Sequence, residues 1–109
     1  MSYYIFIEYK DGHIESCQLA SATNGIRCWE NPAKELSLTF LANLDLYEWG
    51  GINTLEDAHT LVEEVRMIDE YLAKHPELRC VSSQERIPRI LALLDEAIAH
   101  WDEVEIITV

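Results

Sequence analysis

The spacing of apolar residues changes once along this chain, at Thr54, and that change limits the folds open to it. Before Thr54, apolar and polar side chains tend to alternate, which is typical of β-strands. After Thr54, apolar residues recur every three or four positions, which is typical of amphipathic α-helices. Because strand-like segments come first and helix-like segments follow, the sequence predicts an α+β fold.

The first half of the chain predicts a meander of antiparallel strands. Residues 3–9 (YYIFIEY) and 13–20 (HIESCQLA) flank Asp11-Gly12, and an Asp-Gly pair in this position is a strong signal for a β-hairpin. Since residues 3–9 are apolar almost throughout, we expect this strand to be covered on both faces for part of its length. Two further strands are predicted, at residues 26–30 and 35–42.

Two amphipathic helices are predicted in the second half. The first, of about 20 residues, begins at Thr54, which has Asp57 at capping-box distance, and it ends before Pro76. The second helix follows Ser82, which has Glu85 at the same spacing. Each helix carries an apolar stripe that has to be buried against another element.

The last segment, residues 103–109 (EVEIITV), has the composition of a strand that returns to the sheet after both helices. The predicted architecture is therefore a single domain over residues 1–109. It has a mainly antiparallel sheet of four to five strands, with the two helices packed on one face. We assign Trp29 and Trp101 to its core.

The charge of the chain is strongly unbalanced. Twenty acidic residues stand against eight basic ones, for a net charge of −12. The basic residues are scattered along the chain and form no cluster, whereas phosphate-binding surfaces need a basic patch. Direct binding to nucleic acid is therefore disfavoured, and a basic partner is favoured.

The cysteines and the apolar segments indicate the cellular compartment of the protein. Cys17, Cys28 and Cys80 are odd in number and form no paired motif, so we expect reduced thiols in the cytosol. The start of the chain lacks the basic region of a signal peptide, and no apolar stretch is long enough to span a bilayer. The sequence predicts a cytoplasmic protein that does not enter membranes.

Motifs for catalysis are missing from the sequence. No phosphate-binding glycine loop, nucleophile elbow or His-Glu-x-x-His motif is present. His59 shares one predicted helical face with Glu56 and Glu63, but a carboxylate-bridged metal site needs two such motifs on a four-helix bundle. We interpret this face as solvated, and we expect a protein with no enzymatic activity, no cofactor and no metal.

Carboxylates are concentrated on the two predicted helices. Like charges at neighbouring helical positions are destabilising, so a surface designed for stability alone would alternate them with bases. Solubility is one explanation, and a docking surface for a basic protein is the other. The carboxylates predicted to contact such a partner are Glu56, Glu63, Glu64, Glu70, Asp95, Glu96, Asp102 and Glu103.

The segment NLDLYEWGGIN, residues 43–53, places aromatic rings among carboxylates between the two halves of the chain. Tyr47 and Trp49 could anchor a partner while Asp45 and Glu48 meet its Arg or Lys side chains. A structural lid over the core is the alternative. Both interpretations remain open at this point.

The final helix and strand, LLDEAIAHWDEVEIITV at residues 93–109, are similar in pattern to the end of the barstar-type ribonuclease inhibitors. A short, strongly acidic α+β chain without catalytic motifs also resembles bacterial immunity proteins as a class. That resemblance implies a protein that neutralises a toxin by covering its basic active site or a nearby surface. The rest of the chain departs from the parallel α/β fold of barstar, so no binding residue is transferred from it.

Three functional hypotheses follow. The first is an immunity-type inhibitor that binds a basic toxin domain, of the nuclease kind, through an acidic and aromatic surface. The second is a nucleic-acid mimic or regulatory adaptor that binds a basic protein. The third is a small ligand-binding or enzymatic α+β domain, for which pairing of two copies through an edge strand would give a homodimer.

Overall fold

The computed structural model describes residues 2–43 and 52–108. The predicted contact residues Asp45, Tyr47, Glu48 and Trp49 therefore lie outside the described residues. The strands are β1 (Ser2–Tyr9), β2 (Ile14–Ser21) and β3 (Val104–Thr108). The α-helices are α1 (Ala22–Asn24), α2 (Asn31–Glu35), α3 (Leu55–Lys74) and α4 (Val81–Ala99). A π-helix spans Gly25–Glu30, and single 3-10 turns span Leu41–Asn43, Pro76–Leu78 and Trp101–Glu103.

The sheet is antiparallel and has the strand order β2-β1-β3. The predicted hairpin is confirmed: Gly12 adopts a φ of 93°, and its N–H donates to the carbonyl of Tyr9 at 2.9 Å. Such a positive φ is readily available only to glycine, which explains why the turn sits at this residue. The predicted return of the C-terminal strand is also confirmed, since β3 pairs with β1.

The helix α3 begins and ends where the sequence predicts. The Thr54 hydroxyl accepts a hydrogen bond from the N–H of Asp57 at 3.0 Å, and the helix ends at Lys74. The predicted start of the next helix is wrong, because α4 begins at Val81 and Cys80 occupies its cap position without a side-chain hydrogen bond. The preceding chain is held by tertiary contacts at Cys80, so a local cap is not what fixes this start.

The predicted strands at 26–30 and 35–42 are wrong, and the sheet has three strands in the described residues. Residues 22–35 are helical throughout, as α1, the π-helix and α2 follow one another directly. Ser21 caps this helical segment by accepting the N–H of Asn24 at 3.3 Å. The segment that follows, up to Asn43, satisfies backbone N–H groups on a side chain of α3 instead of on a neighbouring strand, as described below.

The core lies between the inner face of the sheet and the helices. Ile5 and Ile7 of β1 and Ile106 of β3 enter it from the sheet. The helices α3 and α4 pack against each other, and α4 covers β2. Trp29 is fully buried, as predicted, while Trp101 is half-buried against the edge of the core. Within the described residues, no helix has the length and apolarity that crossing a membrane requires.

The prediction of three reduced thiols is wrong in this structure. Cys28 of the π-helix and Cys80, directly before α4, form a disulfide with a Cα–Cα distance of 5.8 Å. The two residues are 52 positions apart, so no local spacing indicates that they meet. Cys17 is the remaining, free cysteine; it is buried, and this burial raises the pKa of its thiol.

Candidate functional site

The tip of the hairpin and the end of α4 lie together at one end of the fold, which we call the acidic pole: residues 8–15 together with residues 96–105. The N–H of Lys10 donates to the carbonyl of Glu103 at 2.9 Å, which fixes the two segments against each other. The pole holds one lysine, Lys10, and seven carboxylates: Glu8, Asp11, Glu15, Glu96, Asp102, Glu103 and Glu105. Six of these carboxylates are exposed, and Glu15 is half-buried.

Tyr9 lies at the centre of the acidic pole. Partial burial, followed by the negative charges of Glu96 and Glu15, raises the pKa of its phenol. The phenol therefore keeps its proton. Because α4 holds Glu96 and β1 holds Tyr9, the end of the helix contributes to the electrostatic environment of the hairpin.

Two shallow hollows open beside Tyr9. One, of about 450 Å³, is lined by Glu8, Tyr9, Lys10, Gly12, Val104 and Glu105. The other, of about 320 Å³, is lined by Tyr9, Lys10, Asp11 and Glu103. Both are open to solvent along much of their extent, whereas small-molecule sites enclose most of the ligand surface. Neither hollow encloses a ligand in that way.

Of the predicted contact residues, Glu96, Asp102 and Glu103 thus come together on the acidic pole. Asp95 is also exposed, on the last turns of α4. The histidines of this region contact carboxylates as well: Nε2 of His13 lies 2.9 Å from Glu15, and Nδ1 of His100 lies 3.9 Å from Glu103. The region is negative at neutral pH.

A second acidic surface runs along α3 and is separate in sequence from the pole. Glu56, Glu63 and Glu70 are exposed there and recur every seven residues, so they share one side of the helix. Lys74 pairs with Glu70 at 2.9 Å, and this hydrogen bond and charge lower the pKa of Glu70. We call these three residues the α3 row.

The prediction that Glu64 contacts a partner is wrong. Its side chain is buried, and its carboxylate accepts hydrogen bonds from the N–H groups of Thr39 at 3.0 Å, Phe40 at 3.1 Å and Leu41 at 3.0 Å. The sequence does carry a signal for this role: Glu64 lies three residues after Leu61 and four before Ile68, on the apolar side of α3. Its function is structural.

The outer face of the sheet is the feature that the sequence did not indicate. We call Tyr4, Phe6, Ile14 and Ile107 the open sheet face. Phe6 pairs with Ile107 across β1 and β3, and the rings of Tyr4 and Phe6 stack with centroids 5.7 Å apart. The half-buried apolar residues that pack against the core do not include these side chains. Because Tyr4 and Phe6 are half-buried, the expectation that β1 is covered on both faces for part of its length stays a prediction.

Among residues 2–43 and 52–108, no three His, Cys, Asp or Glu side chains are grouped so that they could hold a metal ion. His59, on the exposed side of α3, belongs to no such group. Comparison with protein-family models, with curated proteins and with solved structures gave no match for this chain. The functional proposal consequently rests on the chemistry of the two acidic surfaces and of the open sheet face.

Proposed function

We propose that this protein is an immunity-type inhibitor that binds and neutralises a basic toxin domain of the nuclease kind. The observation that carries this proposal is the acidic pole, where two distant chain segments bring seven carboxylates and one lysine to one end of the fold. Like charges held this close repel one another, and a cationic protein surface removes that repulsion on binding.

The carboxylates of the pole would take the place of substrate phosphates. A nuclease active site presents Arg and Lys side chains to the phosphate backbone, and these form strong charge-assisted hydrogen bonds with carboxylates. Long-range attraction between the surfaces accelerates the encounter, so the association rate should fall steeply as salt is added. The two hollows beside Tyr9 would admit individual basic side chains.

The proposal is tested with the basic C-terminal domain of a secreted protein encoded beside the gene for this chain, which the proposal requires to exist. In one triple variant Asp102, Glu103 and Glu105 are replaced by Lys. In the matched control Glu56, Glu63 and Glu70 of the α3 row are replaced by Lys. Both variants change the net charge of −12 by the same amount.

We expect the pole variant to associate at least about tenfold more slowly at low ionic strength, and the control to associate no more than about threefold more slowly. Stopped-flow fluorescence at several salt concentrations measures both rates. Equal slowing of the two variants would show that only net charge matters. A toxin domain that binds neither wild type nor variants would refute the proposed function.

The α3 row supports a second candidate, the nucleic-acid mimic. Seven residues of α-helix rise about 10 Å, so its three carboxylates form a straight, evenly spaced line. A DNA-binding protein that recognises such a line would be competed from DNA by this chain. The same pair of triple variants separates the two candidates, because here the α3-row variant loses the competition and the pole variant keeps it.

A further inference from the structure

The open sheet face combines apolar side chains with solvent exposure. Ile14 is 57 % exposed, and Tyr4, Phe6 and Ile107 are half-buried on the strands beside it. The register places them together: Phe6 lies between Ser16 of β2 and Ile107 of β3, and Ile14 pairs with Glu8. An antiparallel sheet with one solvated face normally carries polar residues there, so this face is more apolar than solvation requires.

A pair of carboxylates borders this apolar face. Glu8 of β1 lies directly opposite Glu105 of β3, and both side chains are exposed. Like charges in directly opposed positions destabilise an antiparallel sheet, because the side chains are only about 5 Å apart. Neither carboxylate forms an ion pair with a residue of the described chain, and both line the 450 Å³ hollow, together with Lys10.

We propose that the open sheet face and the Glu8–Glu105 pair together bind an arginine-bearing, apolar patch on a partner protein. The identity of that partner rests on the proposed function. One guanidinium bridges the two carboxylates, since its planar fork donates to two acceptors at once. Apolar or aromatic side chains of the partner cover Phe6 and Ile107. The pole would then steer the encounter while this face supplies the short-range binding energy.

The negative charge of Glu8 and Glu105 limits which kind of partner can bind the open sheet face. A second copy of this chain would meet the face through a two-fold axis and would bring another Glu8–Glu105 pair to the same surface, which increases the repulsion. A membrane surface is excluded on similar grounds, because anionic headgroups repel carboxylates. A cationic partner with an apolar centre complements both the open sheet face and the Glu8–Glu105 pair.

The test uses two synthetic hexapeptide amides of equal charge, one alternating Arg with Trp and one alternating Arg with Gly. Each is titrated into the ¹⁵N-labelled protein and followed by NMR. We expect amide shifts at residues 4–8, 14–18 and 104–107, and binding of the Arg-Trp peptide at least about tenfold tighter than that of the Arg-Gly peptide, because one apolar anchor is worth at least a factor of ten.

Two matched double variants test which carboxylates bind the peptide. Replacing Glu8 and Glu105 by Gln should lower the affinity for the Arg-Trp peptide about tenfold, the size expected for a bridged guanidinium. Replacing Glu63 and Glu70 by Gln removes the same charge and should lower the affinity less than about twofold. Ile14→Ser, at a residue that the fold hardly buries, tests the apolar part with little risk to folding. Thermal unfolding checks that each variant is folded.

The outcomes separate this inference from the proposed function. Shifts that fall on α3, or equal weakening by the two Gln pairs, would overturn the inference. If the toxin domain binds and the Glu8/Glu105 and Ile14 variants bind it as tightly as wild type, the inference fails while the proposed function stands. If no toxin domain binds but the Arg-Trp peptide binds at this face, the inference about the surface is supported and the proposed function fails.

Discussion

Replacing both Cys28 and Cys80 with Ser is expected to lower the free energy of unfolding by about 4 kcal/mol. The disulfide closes a loop between residues 52 positions apart, and a cross-link of that length lowers the conformational entropy of the unfolded chain by the cost of closing that loop. It also holds the π-helix against the start of α4, where no side-chain cap is present. Against a typical total stability of about 5–15 kcal/mol, the loss is severe.

Urea unfolding of the double variant measures this loss, with Cys17→Ser as the control that leaves the disulfide intact. Thiol titration accompanies it. The oxidised wild type should show no reactive thiol when native and one when unfolded, because Cys17 is buried and is the single free cysteine. Three thiols in the unfolded, unreduced protein, or a loss in stability below about 1 kcal/mol, would contradict the role given to the disulfide.

Replacing Glu64 with Gln is expected to lower the free energy of unfolding by about 3 kcal/mol. The carboxylate accepts from three consecutive backbone N–H groups, at residues 39–41. Gln keeps one acceptor oxygen but turns an NH₂ group towards donors, which leaves buried N–H groups without partners and removes the charge assistance. The segment between α2 and residue 43 should therefore loosen first.

The matched control is Glu63→Gln, the neighbouring carboxylate on the exposed side of α3, which should change the stability by less than about 0.5 kcal/mol. Urea unfolding compares the two variants, and hydrogen exchange reports the amides of residues 39–41 directly. Similar stability of the two variants, with unchanged protection of those amides, would remove Glu64 from its structural role.

The elements predicted well are those with local signals. Asp11-Gly12 specifies its own turn, and Thr54 specifies the start of α3 through its own hydroxyl. Residues 26–30 and 35–42 lack such signals. Their structure depends on distant groups, namely the Cys28–Cys80 bond and the Glu64 carboxylate, which hold these segments outside the sheet. Tertiary contacts outweigh short-range propensity in both segments.

The candidate site was predictable in part for the same reason. The sequence alone shows that residues 95–105 are acidic, and the structure shows that their carboxylates are exposed. Only the fold brings the hairpin tip beside them. The strand pattern of residues 3–9 was apolar on both sides, which predicted cover on both faces. One of those sides forms the half-buried open sheet face, because α4 and the core occupy the other.

An NMR footprint of this protein in complex with the basic toxin domain would locate the proposed interface directly. We expect shifted or broadened amides in residues 4–14 and 96–107, with the α3 row unaffected. A footprint centred on Glu56, Glu63 and Glu70, with the hairpin tip and β3 unchanged, would contradict the proposed interface.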